Sequence, residues 1–301
     1  MKIIFINFAL NWVYRLYEDY IDGLTYFMIK NIKNIEIDSK LYQIDQKYNF
    51  KEELKNIENK FDKIILVGDC GFISNILENF TKKIYFLNIE QLSHENYYKY
   101  FRNLNVNLEI IDYSEENMPY HQNIYKNSFL LSPIFKYNLN KIKNIDILSI
   151  NNNDYRKSIL NKINLNNKYN IEFINNTYGI ERDNLYNRTK IYINIHCSQK
   201  HNTMELIRII NLLYNNVIVI TQKSIYDKLL FVKNNIIICN NDKELEKYTL
   251  DILDNYTYYY NLFFNNESGN NKILYFDKTN YEKYVLKNIE YLLSDMHIMD
   301  H

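Results

Sequence analysis

The sequence predicts an α/β protein made of two successive parallel sheets. Three observations carry that prediction. Short apolar runs alternate with amphipathic stretches along the whole 301-residue chain. The runs are apolar on both faces, as strands covered by helices on each side must be. The alternation breaks once, in a segment that holds Pro133 and ends in Lys/Asn-rich sequence, and then begins again. Strands that alternate with helices form βαβ units and a sheet covered on both faces.

The elements follow in order. Ile3–Phe8 reads as the first strand and residues 13–32 as the helix after it. Lys63–Asp69 is an unbroken apolar strand ending in Gly68-Asp69, with a helix over Gly71–Phe80. Lys83–Asn88 is the next strand, leading through Ile89-Glu-Gln-Leu-Ser93 to a helix over 94–104. Leu108–Asp112 is a strand with a short helix near 115–123, and Ser128–Asn144 reads as a crossover. The expected domains are therefore 1–137 and 138–301, the second including the C-terminal helices. In the second half, Ile145–Ile150, Tyr169–Ile174, Lys190–His196, Val217–Thr221 and Asn235–Cys239 read as strands. Helices are expected over Asp154–Ile163, from Met204, over 224–230, over Asp242–Phe264 and over Tyr281–Ser294.

Composition narrows the function. With 36 basic residues against 36 acidic ones, nothing electrostatic favours a nucleic acid or an anionic membrane as partner. The cysteines, Cys70, Cys197 and Cys239, are far apart and odd in number, which suits a reducing compartment and forms no zinc pattern. No apolar run reaches the length of a membrane span, and the N-terminal run is too short and broken for a signal peptide. A soluble, cytoplasmic protein is expected. The 30 tyrosines look like a compositional bias, so a single tyrosine carries little weight.

The chemistry-bearing residues collect at strand ends. His196 closes a buried strand whose one polar member is Asn194, and the all-polar loop after it precedes a helix carrying Glu205 and Arg208. In an open parallel sheet, ligands bind beyond the carboxyl ends of the strands, where such a loop lies. Arg156 and Lys157 stand near the start of the helix after Ile150, where a guanidinium fork and an ammonium could hold a diphosphate. Glu90 follows the strand ending at Asn88, a position suited to acid/base work, to a sugar hydroxyl or to a helix cap. Each also has a plain structural reading: a packed histidine, a solvated basic pair, or an acid at a helix start. Val67-Gly-Asp-Cys-Gly71 is a tight turn that lacks the third glycine of a dinucleotide fingerprint. No Ser-His-Asp arrangement, histidine metal cluster or phosphate-binding Walker loop is present.

Five segments together resemble the GT-B glycosyltransferases, particularly divergent family 1-like members of bacteria and large DNA viruses. They are Asn88-Ile-Glu-Gln-Leu92, Asp112-Tyr-Ser-Glu-Glu-Asn117, the pair Arg156-Lys157, Tyr178-Gly-Ile-Glu-Arg-Asp183, and Lys190–His196 with the Glu205–Arg208 helix. They occur in the order found in that family. The resemblance implies two Rossmann-like domains with parallel sheets facing across a cleft. It implies a nucleotide-sugar donor, a UDP- or GDP-sugar first, held by Arg156, Lys157, Glu205 and Arg208, with Glu90 and His196 as candidate catalytic residues. The acceptor would be a glycan, a protein or a small molecule. The expected chemistry is metal-independent hexosyl transfer with no resident cofactor, arginine, lysine and helix N-termini stabilising the leaving diphosphate. Cys197 stands where many retaining members carry a second glutamate eight positions before the ribose-binding one, so the stereochemistry stays open. The alternatives are a catalytically degenerate GT-B protein that binds a nucleotide or glycan or serves as a scaffold, and a sugar-nucleotide epimerase of similar fold.

Overall fold

The computed structural model describes residues 1–9, 14–43, 50–68, 70–89, 108–115, 117–121, 128–135, 142–150, 154–164, 168–174, 177, 179–196, 206–224, 233–265 and 275–298. The chain divides into two compact units, Met1–Phe135 with Glu282–His301, and Lys136–Tyr281.

The first unit is built on six parallel strands. These are β1 (Lys2–Ala9), β2 (Glu36–Gln43), β3 (Lys63–Gly68), β4 (Ile84–Asn88), β5 (Leu108–Asp112) and β6 (Ser128–Leu130), in the order β2-β1-β3-β4-β5-β6. Helices α1 (Tyr14–Asn31), α2 (Phe50–Lys60), α3 (Cys70–Ile76) and α4 (Met118–His121) connect them. Side chains alternate across β1. Ile4, Ile6 and Phe8 join Leu54 and Ile57 of α2, Ile64 and Leu66 of β3 and Ile73 of α3 in one apolar layer. Each such fully buried side chain contributes roughly 1.5–3 kcal/mol.

Two strands of this sheet escape the sequence reading. β2 (EIDSKLYQ) is an edge strand with most of its residues in contact with solvent, so it carries no continuous apolar run. β6 is a three-residue strand at the other edge, inside the stretch expected to be a crossover. Gly68 has φ +125°, and a Cβ there would stand 1.7 Å from the Phe8 carbonyl oxygen. Glycine is required because β1 and β3 approach closely where the chain leaves the sheet.

The second unit holds β7 (Ile145–Ile150), β8 (Ile171–Ile174), β9 (Thr189–Asn194), β10 (Ile218–Gln222) and β11 (Ile237–Cys239), all parallel, in the order β11-β10-β9-β7-β8. Its helices are α5 (Asp154–Ile163), α6 (Gly179–Arg188), α7 (Leu206–Tyr214), α8 (Asp242–Asp254) and α9 (Tyr256–Tyr260), the last followed by a π-helical turn, Asn261–Asn265. Ile159, Leu160 and Ile163 of α5 pack with Ile191, Ile193, Ile218 and Ile220 of the sheet, and with Leu245 and Ile252 of α8. α6 is not the solvated helix its charges suggest: Arg182, Tyr186 and Asn187 are buried. α7 ends in a Schellman motif: Val217 N–H meets Leu212 O, Asn216 N–H meets Leu213 O, and Asn216 takes the left-handed φ of 52°.

The last helix, α10 (Lys278–Ile298), departs from the expected division at 137/138. It starts in the second unit, where Tyr281 packs edge-on against Tyr214, and continues into the first. There Tyr284 donates to Glu115 at 2.7 Å and the Tyr291 ring meets Phe129 at a tilt, contacts made across some 160 residues of sequence that no local pattern could announce. No helix among the described residues is long and apolar enough to cross a membrane.

Candidate functional site

In the second sheet the strand order reverses between β7 and β9, since β7 leads outward to β8 and β9 leads the opposite way to β10. Ligands of open α/β sheets bind beyond the carboxyl ends of the strands at such a switch point. Arg156 lies just past β7 and His196 just past β9, so two of the residues singled out from sequence flank that point.

The turn that carries His196 is fixed on both sides. Arg156 is buried, and its Nε donates to the Ile195 carbonyl at 2.7 Å. The His196 backbone N–H donates to Gln222 Oε1 at 2.9 Å. The imidazole Nε2 stands 3.2 Å from both the Gln222 and the Lys223 carbonyl oxygens. One layer below, Asn194 Nδ2 donates to Thr221 Oγ1 at 3.0 Å, and Thr221 Oγ1 donates to the Gln222 carbonyl at 3.0 Å. This pairing explains Asn194 at the buried end of β9, because a buried amide must find a partner.

The network continues across the edge. Gln222 Nε2 donates to the Tyr155 hydroxyl at 2.7 Å and to Asp242 Oδ1 at 2.9 Å, and Tyr155 also donates to Asp242 Oδ1 at 3.2 Å. Burial, with Asp242 adding to it, raises the Tyr155 phenol and keeps it protonated, although the ring is 45% exposed. Asp242 opens α8, which Asn241 caps by accepting the Glu244 N–H at 3.0 Å while Glu244 Oε2 accepts the Asn240 N–H at 2.8 Å. Cys239, just before this cap, is fully buried, and burial pushes its thiol up to about 12, so it is a packed side chain and not a nucleophile.

Lys157 is exposed and stands 3.8 Å from Asp154 in the first turn of α5. Arg208 Nη1 donates to the Tyr192 hydroxyl at 3.3 Å, on the side of β9 covered by α7. Glu90, Glu205 and Cys197 lie outside the described residues. Gln222, Tyr155 and Asp242 were not anticipated. A glutamine at a strand end and a tyrosine among 30 give no pattern to read.

The first sheet has its own polar cluster. Asp112 ends β5 with no exposure and accepts four hydrogen bonds. The donors are Asn88 Nδ2 at 2.7 Å, Ser114 N–H at 2.9 Å, Asn117 Nδ2 at 3.0 Å and His121 Nε2 at 2.6 Å. Asn88, Asp112, Ser114 and Asn117 all come from the segments quoted above for their resemblance, so those segments describe a buried hub. Among the described residues no group of three or more histidines, cysteines and carboxylates could hold a metal ion.

No protein-family model matches the chain. A mimivirus protein, Uncharacterized protein R358 of Acanthamoeba polyphaga mimivirus, is 30% identical over 264 residues, which span 84% of this chain and 88% of that protein. The chain belongs to the R358 family. Solved structures show its fold. A DNA-modifying beta-glucosyltransferase, solved with and without uridine diphosphoglucose, superposes over 99% of this chain and 100% of its own with a TM-score of 0.57 at 14% identity. An alpha1,3-fucosyltransferase does so over 97% and 90%, with a TM-score of 0.52 at 14% identity. This member of the R358 family thus has the GT-B fold, two parallel-sheet units in one chain, and its structural neighbours are glycosyltransferases.

Proposed function

We propose that the protein is a GT-B glycosyltransferase that moves a hexose from a nucleotide-sugar to an acceptor, with the donor held at the carboxyl edge of the second sheet. One observation carries this reading. On a fold shared with a glycosyltransferase that takes UDP-glucose, polar groups from the first turns of the helices after β7 and β11 and from the turn after β9 converge beside the switch point, around an edge bearing His196 and the Tyr155 ring.

In this reading Arg156 fixes the β9 turn through Nε, and its positive charge stands with the N-terminus of α5 on the side of the leaving diphosphate. Glu205 takes the ribose, Arg208 supports that helix, and Lys157 adds field only from the surface. His196 lines the sugar pocket, and Glu90 is the candidate base on the acceptor side. UDP-glucose, the substrate of one neighbour, is the first donor to try. That neighbour modifies DNA. This chain's balanced charge of 36 against 36 favours a glycan, a protein or a small molecule as acceptor instead. Metal-independent transfer in the cytoplasm completes the proposal.

A thermal-shift screen with UDP, GDP, ADP, CMP, dTDP and their sugars, with and without Mg²⁺ and with EDTA, tests it. A ligand at 100-fold excess over its dissociation constant adds roughly 2.7 kcal/mol. The expected result is one diphosphate that stabilises the wild type in EDTA and fails to stabilise Glu205→Ala. Stabilisation only with a divalent metal would refute metal independence, and silence toward every nucleotide would refute the donor site.

A further inference from the structure

One carboxamide joins two helix starts and a strand-end turn at the candidate site. Gln222 Oε1 accepts from His196 N–H after β9, and Nε2 donates to Tyr155 after β7 and to Asp242 after β11. An amide serves both ends at once: its oxygen accepts from the His196 N–H and its nitrogen donates to Asp242, which Tyr155 also reaches. A glutamate would set a second carboxylate against Asp242, and a leucine would make neither bond. The main chain adds to the effect. Nε2 of His196 faces the carbonyl oxygens of Gln222 and Lys223, which only accept, so Nε2 carries a hydrogen.

We propose that Gln222 is a positioning residue of the donor site. It sets the height of the His196 turn, and it holds the exposed Tyr155 ring as a flat wall against which the bound nucleotide packs. The inference rests on the donor reading above and assigns the scaffold of that site.

The test exchanges the two ends of one hydrogen bond. Gln222→Glu sets a second carboxylate against Asp242. Adding Asp242→Asn lets the introduced carboxylate accept from His196 N–H, from Tyr155 and from the new amide. UDP and GDP affinities are measured by calorimetry, folding is followed by circular dichroism, and the ¹⁵N shifts of His196 are assigned by difference against His196→Gln. The single variant should lose at least tenfold in nucleotide affinity, with the ¹⁵N shifts of His196 displaced from their wild-type values. The double variant should recover most of both. Wild-type affinity and an unchanged His196 in the single variant would overturn the proposal, as would a double variant no better than the single. Should the single variant not fold, recovery of folding and binding in the double supports the proposal, and no recovery overturns it. If the wild type binds neither nucleotide the donor reading fails, while the His196 shifts of the two variants still decide the positioning role.

Discussion

The two sheets end in polar hubs of opposite character. In the first, Asp112 is saturated by four donors, and none of Asn88, Ser114, Asn117 and His121 is more than 4% exposed. In the second, Gln222 binds partners that reach solvent, with Tyr155 45% exposed and His196 partly so. A carboxylate oxygen pair offers about four acceptor sites, so the first hub has nothing left for a ligand. It braces the loops after β4 and β5. The second ties loops together yet leaves an aromatic face and an imidazole at the surface. A sealed network contributes stability, and an open one of the same kind can serve binding.

Breaking the sealed hub should have the largest effect. Asp112→Ala strands several buried donors at once and should cost about 3–5 kcal/mol or prevent folding, read from urea unfolding. A loss under 1 kcal/mol would show that the cluster is not the brace described here.

Arg156→Met comes next. It leaves the Ile195 carbonyl without its guanidinium donor, at a cost of about 1.5–3 kcal/mol, and should lower UDP affinity by more than the stability loss explains. Equal affinity in the variant would confine Arg156 to the turn.

A pH effect tests the opposite, amino edge of the second sheet. Lys143 Nζ donates to Asn215 O at 2.7 Å, at the end of α7, and burial pushes its ammonium down to about 7. In the unfolded chain the same group holds its proton to roughly pH 10.4. Between these values the unfolded state binds more protons, so stability should rise with pH, by at most about 1.4 kcal/mol per unit. Tyr42 and Tyr284, raised to about 12 by burial, act in the reverse sense above roughly pH 10, where the unfolded phenols ionise first. Urea midpoints from pH 7 to 11 should therefore climb and then fall, and Lys143→Met should flatten the climb. A climb unchanged in that variant would assign it to another group.

Lys157→Ala should do least. Its pair with Asp154 is exposed, so stability should move by less than about 0.5 kcal/mol and UDP affinity by less than twofold. A tenfold loss of affinity would restore Lys157 to the donor site.

Buried parallel strands announce themselves, which is why β3, β4, β5, β7, β9 and β10 are legible from residue order. The edges β2 and β6 are not, because a strand that meets solvent needs no apolar run. The site is legible by halves. Arg156 and His196 stand out as polar groups next to buried strands, but what Arg156 holds depends on Ile195, 39 residues away. Gln222 acquires meaning only from β7, β9 and β11 together, and His121 only from Asp112, so neither had a local signal.

The path of α10 has a consequence for the order of synthesis. Residues 282–301 complete the unit that residues 1–135 begin, with 136–281 in between. On the ribosome, the first unit waits for the rest of the chain, while the second can close its sheet earlier. Loss of residues 282–301 would then injure the half of the molecule translated first, through Tyr284 and Tyr291.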